Sequence, residues 1–185
     1  MQLTSPESTT LAASVALVIV MALAVRQDLA THRISNVLTF GALVAGLGYH
    51  TMAQGIEGFI FAIAGAGAGL CCLLPLYLGR GMGAGDVKMM AAAGSFLGLT
   101  NAVIAALLSL AIGAVIAIVV VAWRALEMRT AAAGVEGAIA SATGFRAALL
   151  QAGKERIPYA AAIALGVVAT MWWRDMFVPL VRSFT

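Results

Sequence analysis

Long apolar stretches separated by short polar breaks run the length of the chain. Six of them have the lengths of helices, at roughly 9–26, 36–52, 58–78, 86–99, 102–123 and 158–173. A membrane crossing takes about 20 mostly apolar residues. Residues 87–123 also read as one run, but at about 1.5 Å per residue it would extend roughly 55 Å, too long for a single crossing. Gly98, Thr100 and Asn101 supply a break within it. The fourth stretch is then only about 20 Å long, so it spans a bilayer only with tilt, local thinning or a recessed end. The pattern predicts an all-α integral membrane protein. It is a bundle of six transmembrane helices forming one domain over residues 1–185, with a loop at about 124–157. Residues 143–152 within that loop predict an interfacial amphipathic helix. There is no long internal repeat and no separate soluble domain.

Composition agrees with the pattern. Hydrophobic residues make up 62% of the chain and charged residues 10%, against about 25% charged in an average soluble domain. Eight acids and eleven Lys and Arg residues are too few to cover a water-facing surface. A disordered chain, a disulfide scaffold and a soluble nucleic-acid binder are excluded on the same ground. The net charge of +3 is the excess that the positive-inside rule predicts for a small membrane protein.

The basic residues also set an orientation. Arg26 and Arg33 follow the first helix, Arg80 and Lys88 follow the third, and Arg124, Arg129, Arg146, Lys154 and Arg156 follow the fifth. Together these are nine of the eleven. The intervening loops carry only Glu57, and Arg174 and Arg182 are the exceptions. The N-terminus is therefore expected outside and the three basic loops in the cytoplasm. Residues 1–10 hold Glu7 and no Lys or Arg, so the first apolar run reads as a retained helix rather than a cleavable signal.

Gly65, Gly67 and Gly69, and likewise Gly94 and Gly98, form small-residue stripes of the kind that let helices approach closely in lipid. Cys71 and Cys72 are adjacent and read as two small buried residues. No C-x-x-C occurs, and His32 and His50 are expected near opposite faces, so no metal site is expected.

Acids within or at the edge of membrane helices are costly and point to function. Six of the eight sit in tails or loops away from any motif. Asp28 lies just beyond the first helix, between Arg26 and Asn36. Asp86 opens the fourth, after Gly81, Gly83 and Gly85 and before Lys88. The topology puts both at the cytoplasmic face, which is what a paired carboxylate site requires. Two close carboxylates do not easily both ionise. The charged one can draw a proton from water while the neutral one polarises a scissile carbonyl, with no metal or cofactor. The helix dipole favours a charge on Asp86, at a helix N-terminus, and disfavours one on Asp28, after a helix C-terminus, so Asp28 is expected to hold the proton more often and Asp86 to act as the base. The glycines before Asp86 permit positive φ and close backbone approach, and an extended substrate could pair with such backbone. The residues alone leave other readings. Asp86 could be the N-cap of its helix and Asp28 the partner of Arg26, His32 or Arg33. The chain would then be a scaffold, or a small transporter using the two acids as a proton relay.

Asp28 with Arg33, Ile34, Ser35 and Asn36, followed by Gly83, Gly85, Asp86 and Lys88, resembles the type IV prepilin peptidase family. The run from Arg156 to Ala164 is similar to that family's last helix. The resemblance implies a Gly-x-Gly-Asp (GxGD) intramembrane aspartyl protease architecture with Asp28 and Asp86 as catalytic aspartates. It further implies motif-supporting roles for Gly83, Gly85, Lys88, Arg33 and Asn36. Position 35, often proline in relatives, is serine here, which can still cap the second helix. Larger relatives carry a C-x-x-C domain and methylate the new N-terminus. This chain resembles the short, peptidase-only branch of the Flp or tight-adherence pilus type. The implied substrates are prepilin or pseudopilin precursors with a short basic leader ending in glycine. They would be cut at the cytoplasmic face of a bacterial inner membrane. No cofactor and no nucleic-acid partner are implied, and the oligomeric state stays open.

Overall fold

The computed structural model describes residues 6–31, 34–79, 81–131 and 159–182, with side chains over 13–31, 34–79, 81–123, 126 and 159–173. The helices are α1 (Pro6–Thr31), α2 (Asn36–Leu78), α3 (Ala84–Ala131) and α4 (Tyr159–Arg182), and no strand occurs among the described residues. Three stretches, Ala13–Thr31, Asn36–Leu78 and Ala84–Trp123, are long and apolar enough to cross a membrane, and Tyr159–Trp173 is a shorter apolar helix. The chain divides into two compact units. One comprises 1–110 with 158–185 and holds the core and the candidate site described below. The other is 111–157, whose described part is the final stretch of α3.

α1 runs past Arg26 to Thr31, so Asp28 lies in its last turn and not beyond it. Gln27, Leu29 and Ala30 offer nothing to stop a helix, and the Thr31 hydroxyl donates back to the Gln27 carbonyl at 2.9 Å. α2 opens on Ser35, whose hydroxyl oxygen accepts from the Val37 N–H at 3.2 Å. This is the expected cap.

α2 contains 43 residues, about 65 Å if straight. It is not straight. Gly46 lies against Ser95 and Phe96 of α3, while Gly65 lies against Gly94. On a straight helix residues 46 and 65 would be about 28 Å apart. Both arms of α2 therefore flank the same turn of α3, and the chain folds back between them. The turn is Gly55, at φ 64° and ψ −137°, backbone that glycine alone adopts readily. A Cβ on Gly58 would collide with the His50 carbonyl, so the arms touch backbone to backbone. The loop expected at 53–57 is thus one non-helical residue.

α3 breaks the same way. Gly98 has φ 76° and ψ 174°, while Thr100 and Asn101 remain helical. Such a break removes the i→i+4 partners of the carbonyls just before it. Two side chains replace them. His50 Nε2 donates to the Phe96 carbonyl at 3.2 Å, and Asn101 Nδ2 donates to the Leu97 carbonyl at 3.1 Å. A carbonyl only accepts, so Nε2 carries the hydrogen. His50 is buried and also lines a cavity of about 160 Å3 with Ser14 and Gln54. His50→Leu should lower stability by about 1–3 kcal/mol, because the Phe96 carbonyl is left without a donor in an apolar interior. His50→Gln, with a donor of similar reach, should retain most of it. Thermal unfolding in detergent of the two variants checks this.

Gly65 and Gly69 of α2 press on Gly94 and Met90 of α3, and Gly67 meets no neighbour. The remaining core joins Leu17, Met21 and Ala24 of α1 to Met89, Met90 and Phe96 of α3 and to Ile163, Val167 and Met171 of α4. Outward faces are apolar as well, with Val15, Ile19, Phe40, Ile60 and Val115 exposed, as suits lipid contact. Cys71 is exposed and Cys72 half-buried, and both are free thiols. α3 continues past Trp123 to Ala131, into residues expected as loop. The rest of that loop, with the amphipathic segment at 143–152, lies outside the described residues.

Candidate active site

Asp86 lies in the first turn of α3, at the third helical position after Gly83. It is not the N-cap. Its carboxylate reaches back and Oδ2 accepts from the Gly83 N–H at 3.2 Å, while its own N–H donates to the Gly83 carbonyl at 3.2 Å. This is the acidic half of a capping box, which ties the carboxylate to the glycine loop. The placement also sets a negative charge at the positive end of the helix dipole.

The other half of the site comes from the end of α1 and the start of α2. Gln27 Oε1 accepts from the Ser35 N–H at 3.1 Å, closing the linker between the two helices. Ile34 packs on Gly85, where an added Cβ would stand 3.2 Å from the Ile34 Cβ. Lys88 Nζ donates to Asn36 Oδ1 at 2.9 Å, across 52 positions of sequence. Asp28, half-buried in the last turn of α1, comes close enough to Asp86 for the two carboxylates to repel each other.

The fold therefore brings Asp28 and Asn36 to Gly83, Gly85, Asp86 and Lys88. Of the residues expected here, Arg33 lies outside the described residues, as does His32. The glycines act differently from expectation. Among the described residues only Gly55 and Gly98 have positive φ. Gly85 serves by close approach to Ile34, and Gly83 by its N–H to Asp86. Gln27 was not legible as a site residue, because its bond skips eight positions and exists only once the linker has turned.

Two half-buried carboxylates that repel each other, one of them held by a backbone N–H, do not easily both ionise, which is the arrangement a general acid–base pair needs. A family model described as the type IV leader peptidase family matches residues 15–118, which contain every one of these groups. Comparison with curated proteins and with solved structures returned no match.

Proposed function

Because the chain belongs to the type IV leader peptidase family, we propose that it is an aspartyl endopeptidase that removes short leaders from prepilin precursors, with Asp28 and Asp86 as its catalytic pair. The observation that carries this reading is the meeting of two distant segments. Asp28 approaches Asp86, and beside them Lys88 holds Asn36. Packing alone gives no reason to bring two acids together in an apolar bundle, where each is costly.

In the proposed reaction the ionised carboxylate takes a proton from a water, whose oxygen attacks the scissile carbonyl carbon. The protonated carboxyl donates to the carbonyl oxygen. The tetrahedral intermediate then collapses, the C–N bond breaks, and the amine leaves with a proton from the pair. The reaction draws on no metal or cofactor.

The finer reading has six transmembrane segments in one peptidase domain, the N-terminus outside, and the pair at the cytoplasmic face of a bacterial inner membrane. The substrate is a small Flp-type prepilin, cut after the glycine that ends its basic leader, without N-methylation. The charge asymmetry of the loops supports the orientation. Co-expression with a tagged Flp-type prepilin tests the reading. A gel shift, with N-terminal sequencing of the product, should show cleavage after that glycine. An uncut precursor, or a cut elsewhere, would count against it.

A further inference from the structure

The described residues beside the two acids include one polar group with no part in the chemistry above. Gln27 directly precedes Asp28, and its side chain reaches the far end of the linker. Gln27 Oε1 accepts from the Ser35 N–H at 3.1 Å, and the Gln27 carbonyl accepts from the Thr31 hydroxyl at 2.9 Å. Ser35 is the N-cap of α2, and its own carbonyl takes the first helical bond, from the Thr39 N–H at 3.2 Å. One residue thus ties the last turn of α1 to the first turn of α2. Between the tied ends lies Ile34, against Gly85, and next to them lie Asp28 and Asn36.

We propose that Gln27 is a positioning residue. Its hydrogen bond to Ser35 locks the α1–α2 linker and so holds Asp28 at its working distance from Asp86. This deepens the dual-aspartate reading and rests on it. The physical basis is the cost of misplacement. Without the bond, Ile34 can shift on Gly85, and the end of α1 loses its tie to Ser35. The substrate still meets the same surface, but the pair no longer sits correctly about its water. A displacement of about 1 Å at reacting groups can cost up to about 100-fold in rate.

The geometry also supplies a rescue. Ser35 has φ −64°, the value to which a proline ring locks the backbone. Proline has no N–H to satisfy. Ser35→Pro should therefore hold the linker without Gln27.

The test uses the full chain in detergent with a synthetic prepilin peptide and four proteins: wild type, Gln27→Ala, Ser35→Pro and the double variant. Asp28→Asn and Asp86→Asn serve as controls. Gln27→Ala should lower kcat about tenfold with KM within about twofold, since the loss is in placement and not in substrate binding. In the Ser35→Pro background the same substitution should change kcat by less than about twofold. A wild-type rate for Gln27→Ala overturns the inference. So does a loss that is equally large in both backgrounds. If Ser35→Pro lowers the melting temperature, Gln27→Glu, which keeps an acceptor, is compared with Gln27→Leu, which has none. Equal rates for those two overturn it as well. Full activity in both aspartate controls would instead sink the dual-aspartate reading itself, a separate result.

Discussion

Asp28→Asn and Asp86→Asn should each abolish leader cleavage, by at least about 100-fold, because each removes one partner of the proposed acid–base pair. Asparagine keeps the shape of the side chain but cannot ionise, and it replaces one acceptor oxygen by an amide N–H2. At position 86 its amide oxygen can still accept from the Gly83 N–H, so the start of α3 keeps its tie. At both positions the repulsion between Asp28 and Asp86 disappears. The melting temperature in detergent should therefore stay level or rise while activity is lost. The gel-shift assay and a thermal melt on the same samples separate the two quantities. Equal processing by both variants and wild type would reduce the acids to helix-end groups and favour a scaffold. A parallel loss of activity and stability would mean that the substitutions act through the fold.

Gly94→Val should destabilise the bundle by about 3 kcal/mol, the upper end of the usual range for overpacking. A Cβ on Gly94 would meet the Gly65 carbonyl, and one on Gly65 would meet the Gly94 carbonyl. Neither neighbour is a flexible side-chain end, so relief requires α2 and α3 to move apart along their whole contact. That separation would also disturb the Phe96 carbonyl held by His50. Gly67→Ala is the matched control. It lies in the same stripe of sequence but has nothing within 4 Å of its added Cβ. It should be neutral or stabilise by up to about 1 kcal/mol through helix propensity. Melting temperatures of the two variants in one detergent decide the point. Similar losses at both positions would mean that the stripe acts by composition and not by contact.

The two glycine stripes mark the limit of what periodicity can tell. Gly65, Gly67 and Gly69 look alike along the sequence, yet two carry a helix contact and one faces open space. The breaks show the same limit. The apolar pattern already separated 36–52 from 58–78, so a reversal near the middle of the 43-residue α2 was legible. That the reversal is one residue at positive φ, with backbone touching backbone at Gly58, was not.

The site divides in the same way. Asp28 and Asp86 stood out because acids are rare and costly in apolar sequence, and Gly83, Gly85 and Lys88 because they match the motif of the family that the chain resembles. Gln27 did not, since a glutamine at a helix end is ordinary until its partner is known. The expected end of the first helix at Arg26 was also too early. Charge suggested a boundary there, but helix propensity through Ala30 carried Asp28 into the last turn.

By itself, then, the sequence determined that the chain is helical and built for a membrane, and which acids are worth examining. Those properties follow from composition and spacing, which are local. Tertiary structure alone decided that the α1–α2 linker meets the glycine loop, that Gln27 holds Ser35, and that His50 and Asn101 satisfy the carbonyls freed at Gly98. These are contacts between groups far apart in the chain or across a break, and hydrogen bonds of that kind form only after the helices have packed.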